Sequence, residues 1–183
     1  MKIEINKDDL RKYFNYVNGE LIWKERPIED FQRDQDCKTW NKRFAGKIAG
    51  TTEYREDTQS YRSYILINSK RHRRSRLVYI YHYGDIPEGL VIDHKSGNTL
   101  DDRIQNLRAV TIQINNFNRQ KSSNNKSGVT GVHWSQKKQK WIAKGKENGK
   151  VIQLYYGFSF DDAVKARKKW NDSHKFITDR HGM

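Results

Sequence analysis

The sequence predicts an α+β protein built from several small modules, on three observations. Strand-like apolar runs alternate with short, capped helical stretches along the chain. Only 34% of residues are apolar while 12% are aromatic, a balance that suits small aromatic-rich cores better than one large core or disorder. Residues 120–127, Gln-Lys-Ser-Ser-Asn-Asn-Lys-Ser, have linker composition and separate two differently patterned halves. The expected division is a mixed region at 1–68, a core at 69–120, a linker at 121–126 and a C-terminal module at 127–183.

Taken in order, Asn6 can cap a short helix through Tyr13, with Asp8 and Asp9 at its positive end. Asn18-Gly19 between apolar flanks is a hairpin signal. Residues 27–44 are polar and charged and read as a loop, Ala45 to Gly50 as a turn-rich step, and Tyr61 to Ile67 as a strand. Leu77 to Tyr81 is compatible with a buried helix or a strand; a helix starting near Ser75 is favoured. Pro87-Glu88-Gly89 turns the chain into a strand from Leu90 to Asp93. Thr111 can cap a helix through about Arg119. Beyond the linker, Val129 to Trp134, Lys140 to Lys146 and Val151 to Tyr156 read as strands, the last two joined across Asn148-Gly149. Ser159 then caps a helix from Phe160 to about His174, with Ala163, Ala166 and Trp170 on one face. Three strands and one helix make a self-contained module.

The formal net charge of +14, from 36 Lys and Arg against 22 Asp and Glu, calls for a polyanionic partner, and nucleic acid is the commonest. No basic amphipathic helix and no long apolar stretch points to a membrane. Cys37 is the single cysteine, so neither a disulfide framework nor a thiolate zinc site is expected. A soluble, cytoplasmic protein is the expectation. Lys70 to Arg76 packs five cationic side chains into seven residues, and Arg71, Arg73, Arg74 and Arg76 are read as DNA contacts, with Arg108 and Arg119 as further ones. From Arg119 to Lys150 there are nine Lys or Arg and one Glu. In that stretch His133, Trp134, Lys137, Lys138, Lys140, Lys144 and Lys146 are candidate DNA-binding residues.

Within this basic chain, Asp93-His94, Asn106 and Asn115 place a carboxylate, an imidazole and two carboxamides close together. Cutting a phosphodiester needs an activated water and neutralisation of phosphate charge. His94 has the side chain whose ordinary pKa suits a general base near neutrality. In an extended strand Asp93 points to the other side from its neighbour. A carboxylate with a carboxamide offers an oxygen-only site that suits Mg²⁺ or Mn²⁺ and not Zn²⁺.

The stretch Val91 to Arg119, with Asp-His-Lys-x-Gly-Asn followed by Asn-Leu-Arg-x-Val-Thr, resembles the HNH nuclease family, in particular its phage homing-endonuclease branch ending in Asn. The spacings of 13 residues from Asp93 to Asn106 and 22 to Asn115 agree with that branch. The resemblance implies a β-hairpin and helix pinching one divalent metal (the ββα-metal arrangement), with Asp93 and Asn115 as its ligands. It also implies His94 as general base and Asn106 as a structural residue holding the loop. One departure is Ser75-Arg76-Leu77, where related phage proteins often carry His-Arg-Leu. Residues from about Ser127 to Phe176 resemble the plant ethylene-response-factor type of DNA-binding domain, through Gly131-Val132-x-Trp134, Lys140-Trp141, Gly157-Phe158 and Asp161-Asp162-Ala163. Lys stands here where plant members present base-reading Arg, which implies affinity with modest sequence choice.

The expectation is a metal-dependent DNA endonuclease using one Mg²⁺ or Mn²⁺ per active site and no small-molecule cofactor. It would act on double-stranded DNA, as a monomer in preference to a dimer, nicking one strand per encounter unless two copies assemble. The rivals are a non-catalytic DNA-binding regulator, which leaves Asp93 unexplained beside phosphate, and a protein acting on RNA.

Overall fold

The computed structural model describes residues 5–118, 124–147 and 149–174. They form a mixed α+β structure in two compact units, Met1–Ile112 and Gln113–Met183. No described helix is long and apolar enough to cross a membrane.

In the first unit, α1 (Lys7–Tyr13) starts where its cap predicts, the Asp9 backbone amide donating to Asn6 Oδ1 at 2.8 Å. It buries Leu10 and Tyr13. β1 (Phe14–Val17) and β2 (Glu20–Trp23) form the Asn18-Gly19 hairpin, both turn residues having positive φ (49° and 96°), as a primed turn requires. Residues 27–44 are not a loop: after a single 3₁₀ turn at Ile28–Asp30 comes α2 (Asp34–Phe44). α2 lacks a side-chain cap bond and is tied down by aromatic contacts instead. Trp40 meets Trp23 edge-on at 5.2 Å, and the Arg26 guanidinium lies over the rings of Tyr13, Phe31 and Trp40.

β3 (Thr51–Arg55), β4 (Ser60–Ile67) and β5 (Lys70–Arg73) make an antiparallel sheet with β4 central. α3 (Arg74–Tyr83) confirms the helical choice for Leu77 to Tyr81 and buries Leu77, Val78 and Ile80. β6 (Leu90–His94) and β7 (Leu107–Thr111) pair as a long-looped antiparallel hairpin. One core joins these pieces: Leu10, Phe14 and Leu21 from the N-terminal hairpin region, Ile65 and Ile67 from β4, Leu77 and Val78 from α3, and Leu107 from β7. Each fully buried side chain of this size is worth about 1.5–3 kcal/mol relative to exposure. The β6–β7 hairpin is thereby seated on α3 and on residues from the first quarter of the chain.

α4 (Ile112–Phe117) follows Thr111 directly at the boundary between the units; residue 119, where it was expected to end, lies outside the described residues. In the second unit, β8 (Val132–Ser135), β9 (Lys140–Glu147) and β10 (Lys150–Gly157) form an antiparallel sheet with β9 central. α5 (Phe160–Asp172) packs on it, capped by Ser159, whose Oγ accepts from the Asp162 amide. The close approach of helix and sheet requires Gly145, because a Cβ there would lie 2.6 Å from the Trp170 indole. Ala163 and Trp170 are buried as their spacing predicts, but the third inward position is Arg167 and not Ala166. The Arg167 guanidinium donates to the Lys144 carbonyl and lies over Trp170, and burial lowers its pKa.

Candidate active site

β6 and β7 set the site by register. Asp93 is opposite Arg108, and His94 is opposite Leu107. Strand alternation sends neighbours to opposite faces, so Leu107 takes His94's face to the core while Asp93 lies on the other. Arg108 spans the ladder to Asp93: its Nε and Nη2 reach Asp93 Oδ2 at 2.9 and 2.8 Å. Asp93 is buried. A carboxylate in that position is costly without a cation, and the guanidinium supplies one. Arg108, expected to touch DNA, therefore faces Asp93 in this structure.

His94 is bonded to Asp102, which the sequence reading did not single out. His94 Nε2 lies 2.8 Å from Asp102 Oδ1, and Asp102 Oδ2 accepts from Arg74 Nε at 2.8 Å. The Asp102 side chain is 2% exposed and that of Arg74 is 7% exposed. Glu20 Oε1 stands 3.5 Å from Arg74 Nη1 on the far side. Arg74 was expected among the DNA contacts of the basic strip and is corrected here: it is buried and its charge is matched inside the protein by Asp102. No local spacing signals this, because the partners of Asp102 are 8 and 28 residues away.

Asn106 ties the loop between β6 and β7. Its Nδ2 donates to the Asp101 carbonyl at 2.7 Å, its Oδ1 accepts from the Ser96 amide at 2.8 Å, and its carbonyl accepts from the Lys95 amide at 2.8 Å. Arg103 grips Asp101 with two bonds of 2.8 Å and holds that carboxyl below its ordinary pKa. Ser75, standing where relatives have His, is buried at the start of α3. Asn115 is half-buried on α4 in the second unit.

Donor chemistry decides what ion fits. Among the described residues no three His, Cys, Asp or Glu gather as a ligand cluster. The Asp93 carboxylate is a hard oxygen donor of the kind that suits Mg²⁺ or Mn²⁺. In this structure the Arg108 guanidinium on Oδ2 neutralises that carboxylate.

The candidate nucleic-acid contacts fall into distinct groups. On β5, Arg71 is paired with Glu53 at 2.6 Å and lies over the Tyr64 ring; Arg73 is exposed, and so is Arg76 on α3. In the second unit, register puts His133, Ile142 and Tyr156 on one sheet face with Lys140, Lys144 and Lys146. The ammonium groups of Lys138 and Lys140 lie over the Tyr156 ring at 5.3 and 4.5 Å. Lys137 is exposed in the adjoining turn. Trp134 belongs to the opposite face: it pairs with Trp141, whose ring meets that of Phe160 on α5 at 4.6 Å in a tilted contact. Trp134 is 39% exposed, so its indole is accessible to solvent. Arg119 lies outside the described residues.

Residues 72–117 match the family model described as HNH endonuclease, and this stretch, a quarter of the chain, is of that type. Protein 3.8 of Escherichia phage T7 is 38% identical over 69 residues, which are 36% of this chain and 57% of that relative's length. A solved structure described as DNA binding and cleavage by the HNH homing endonuclease I-HmuI aligns with 94% of this chain and 90% of that one, at 22% identity and a TM-score of 0.40.

Proposed function

We propose that this chain is a metal-dependent DNA endonuclease of the homing type, cutting phosphodiesters of double-stranded DNA by hydrolysis, one strand per encounter. The observation that carries the reading is the Asp93-His94 pair at the end of β6, in a stretch of HNH endonuclease type whose loop is tied by Asn106. His94 takes a proton from the attacking water. Asp93 and, from its sequence spacing, Asn115 would hold one Mg²⁺ or Mn²⁺, which when bound supplies charge neutralisation at the scissile phosphate. Asn106 keeps the loop that follows His94 in a fixed conformation. Arg73 and Arg76 hold phosphates beside the site, and Lys137, Lys138, Lys140, Lys144 and Lys146, with His133, dock a second stretch of duplex. The C-terminal three-stranded sheet with its single helix supports the ethylene-response-factor likeness as the architecture of that docking module.

One observation favours a second reading, a non-catalytic DNA-binding regulator. The carboxylates of Asp93 and Asp102 are both neutralised by arginines, so neither demands a metal for the fold to be stable. Incubation of supercoiled plasmid, including the DNA around the gene itself, with Mg²⁺ separates the two. The endonuclease relaxes it and the His94→Ala protein does not. Absence of relaxation by wild type on every DNA tried would leave the regulator.

A further inference from the structure

We propose that Asp102 is the positioning residue of His94, and that the β1–β2 hairpin braces Asp102 from behind. This rests on the nuclease reading and gives the N-terminal region a part in it.

Both oxygens of Asp102 are engaged inside the protein, one by His94 Nε2 and one by Arg74 Nε, each at 2.8 Å. A carboxylate only accepts hydrogen bonds, so the imidazole nitrogen facing it carries the proton. In the neutral ring the lone pair is then on Nδ1, the atom that can take a proton from water. The same bond fixes the ring plane. Arg74, at the first turn of α3, balances the buried carboxylate and anchors it to the core helix.

The backbone around Asp102 is held by the hairpin. Tyr16 on β1 accepts from the Ile104 amide through its hydroxyl at 3.0 Å. At the turn, a Cβ on Gly19 would lie 2.7 Å from the Arg103 nitrogen and 2.9 Å from the Asp102 carbonyl carbon. Only hydrogen fits, so the hairpin tip lies flush against the 102–103 peptide. Glu20, one residue on, faces Arg74. Two contacts from one hairpin thus hold the backbone at 102–104, and a third faces the arginine that grips the Asp102 carboxylate.

The test uses the full chain and reads three quantities: single-turnover cleavage rate, duplex affinity, and the protonated nitrogen of His94 by ¹⁵N NMR. Wild type is expected to carry the proton on Nε2. In Asp102→Asn the carboxamide can donate to Nε2 and favour the other tautomer. Comparable replacements of a carboxylate that orients a catalytic histidine cost about 10⁴ in rate, and the rate should fall on that order with duplex affinity unchanged. Tyr16→Phe, a mild change, should keep the tautomer and lose on the order of 10-fold to 10²-fold in rate, as small misplacements do. A wild-type His94 protonated on Nδ1, the same tautomer in wild type and Asp102→Asn, or wild-type cleavage by Asp102→Asn would overturn the assignment. Should Asp102→Asn not fold, a Tyr16→Phe rate equal to wild type overturns the brace. If wild type cuts no DNA the nuclease reading fails separately, and the tautomer comparison still decides whether Asp102 orients His94.

Discussion

Replacing Lys144 and Lys146 together by Ala tests whether the helix-free face of the C-terminal sheet holds DNA. Both are exposed on β9, two residues apart and therefore about 7 Å apart on one face. Their cross-strand neighbours, Gln153 and Val151, carry no charge to satisfy them. If each ammonium neutralises one phosphate, each contributes about −0.9 to the slope of log K against log salt. The double variant should flatten that slope by about 1.8, so that raising salt from roughly 50 to 200 mM weakens it about 12-fold less than wild type. That difference holds whatever else on the protein touches the duplex. Fluorescence anisotropy with a labelled duplex at four salt concentrations measures it. Thermal stability should be unchanged because both side chains are exposed. Lys165→Ala with Lys168→Ala, on the outer side of α5, is the control and should leave the slope alone. An unaltered slope in the Lys144/Lys146 variant would remove this face from the interface.

Three further outcomes follow from the geometry. Asn106→Ala loses two loop-closing bonds of 2.7 and 2.8 Å, and urea denaturation should show a loss of about 1–3 kcal/mol together with slower cleavage. Arg108→Gln takes the cross-strand cation from buried Asp93; with the arginine partly exposed, the loss should be about 1–3 kcal/mol, below the 3–5 typical of fully buried pairs. Added Mg²⁺ should then raise the melting temperature of this variant more than that of wild type, and equal shifts would contradict the role given to Asp93. Burial, and then Arg11 and Lys7, lowers the pKa of His82; burial, and then Lys70 and Arg76, lowers that of His72. The folded state therefore resists protonation more than the unfolded chain does, and stability drops as pH falls below the ordinary histidine value of 6.5. Denaturation at pH 7.5 and 5.0 should show a smaller drop for His82→Phe than for wild type.

Local signals were legible wherever a side chain acts on its own neighbourhood. Asn6 and Ser159 cap the helices they precede, and Asn18-Gly19 turns the hairpin it spells. α2 was illegible for the opposite reason. Its sequence, Asp34 to Phe44, has no cap bond, its three apolar residues at helical spacing (Cys37, Trp40 and Phe44) are outnumbered by polar and charged ones, and Trp40 is held by Trp23 and Arg26 from outside the helix. The site divides the same way. Asp93, His94 and Asn106 can be found from spacing because they belong to one hairpin and its loop. Asp102 and Arg74 cannot, since one looks like a loop acid and the other like a member of a basic run until the fold buries them against each other. Charge density along the chain does not report which sheet face a residue takes: Trp134 lies on the face opposite Lys140, Lys144 and Lys146.

The central claim is that the Asp93-His94 strand end breaks DNA and does not merely hold it. The most direct measurement is single-turnover cleavage and equilibrium binding of one duplex by wild type and His94→Ala, side by side in Mg²⁺. Removing the base should slow cleavage by about 10²–10⁴-fold while the affinity is unchanged. Equal rates in the two proteins, or tight binding by wild type with no cutting of any duplex, would contradict it.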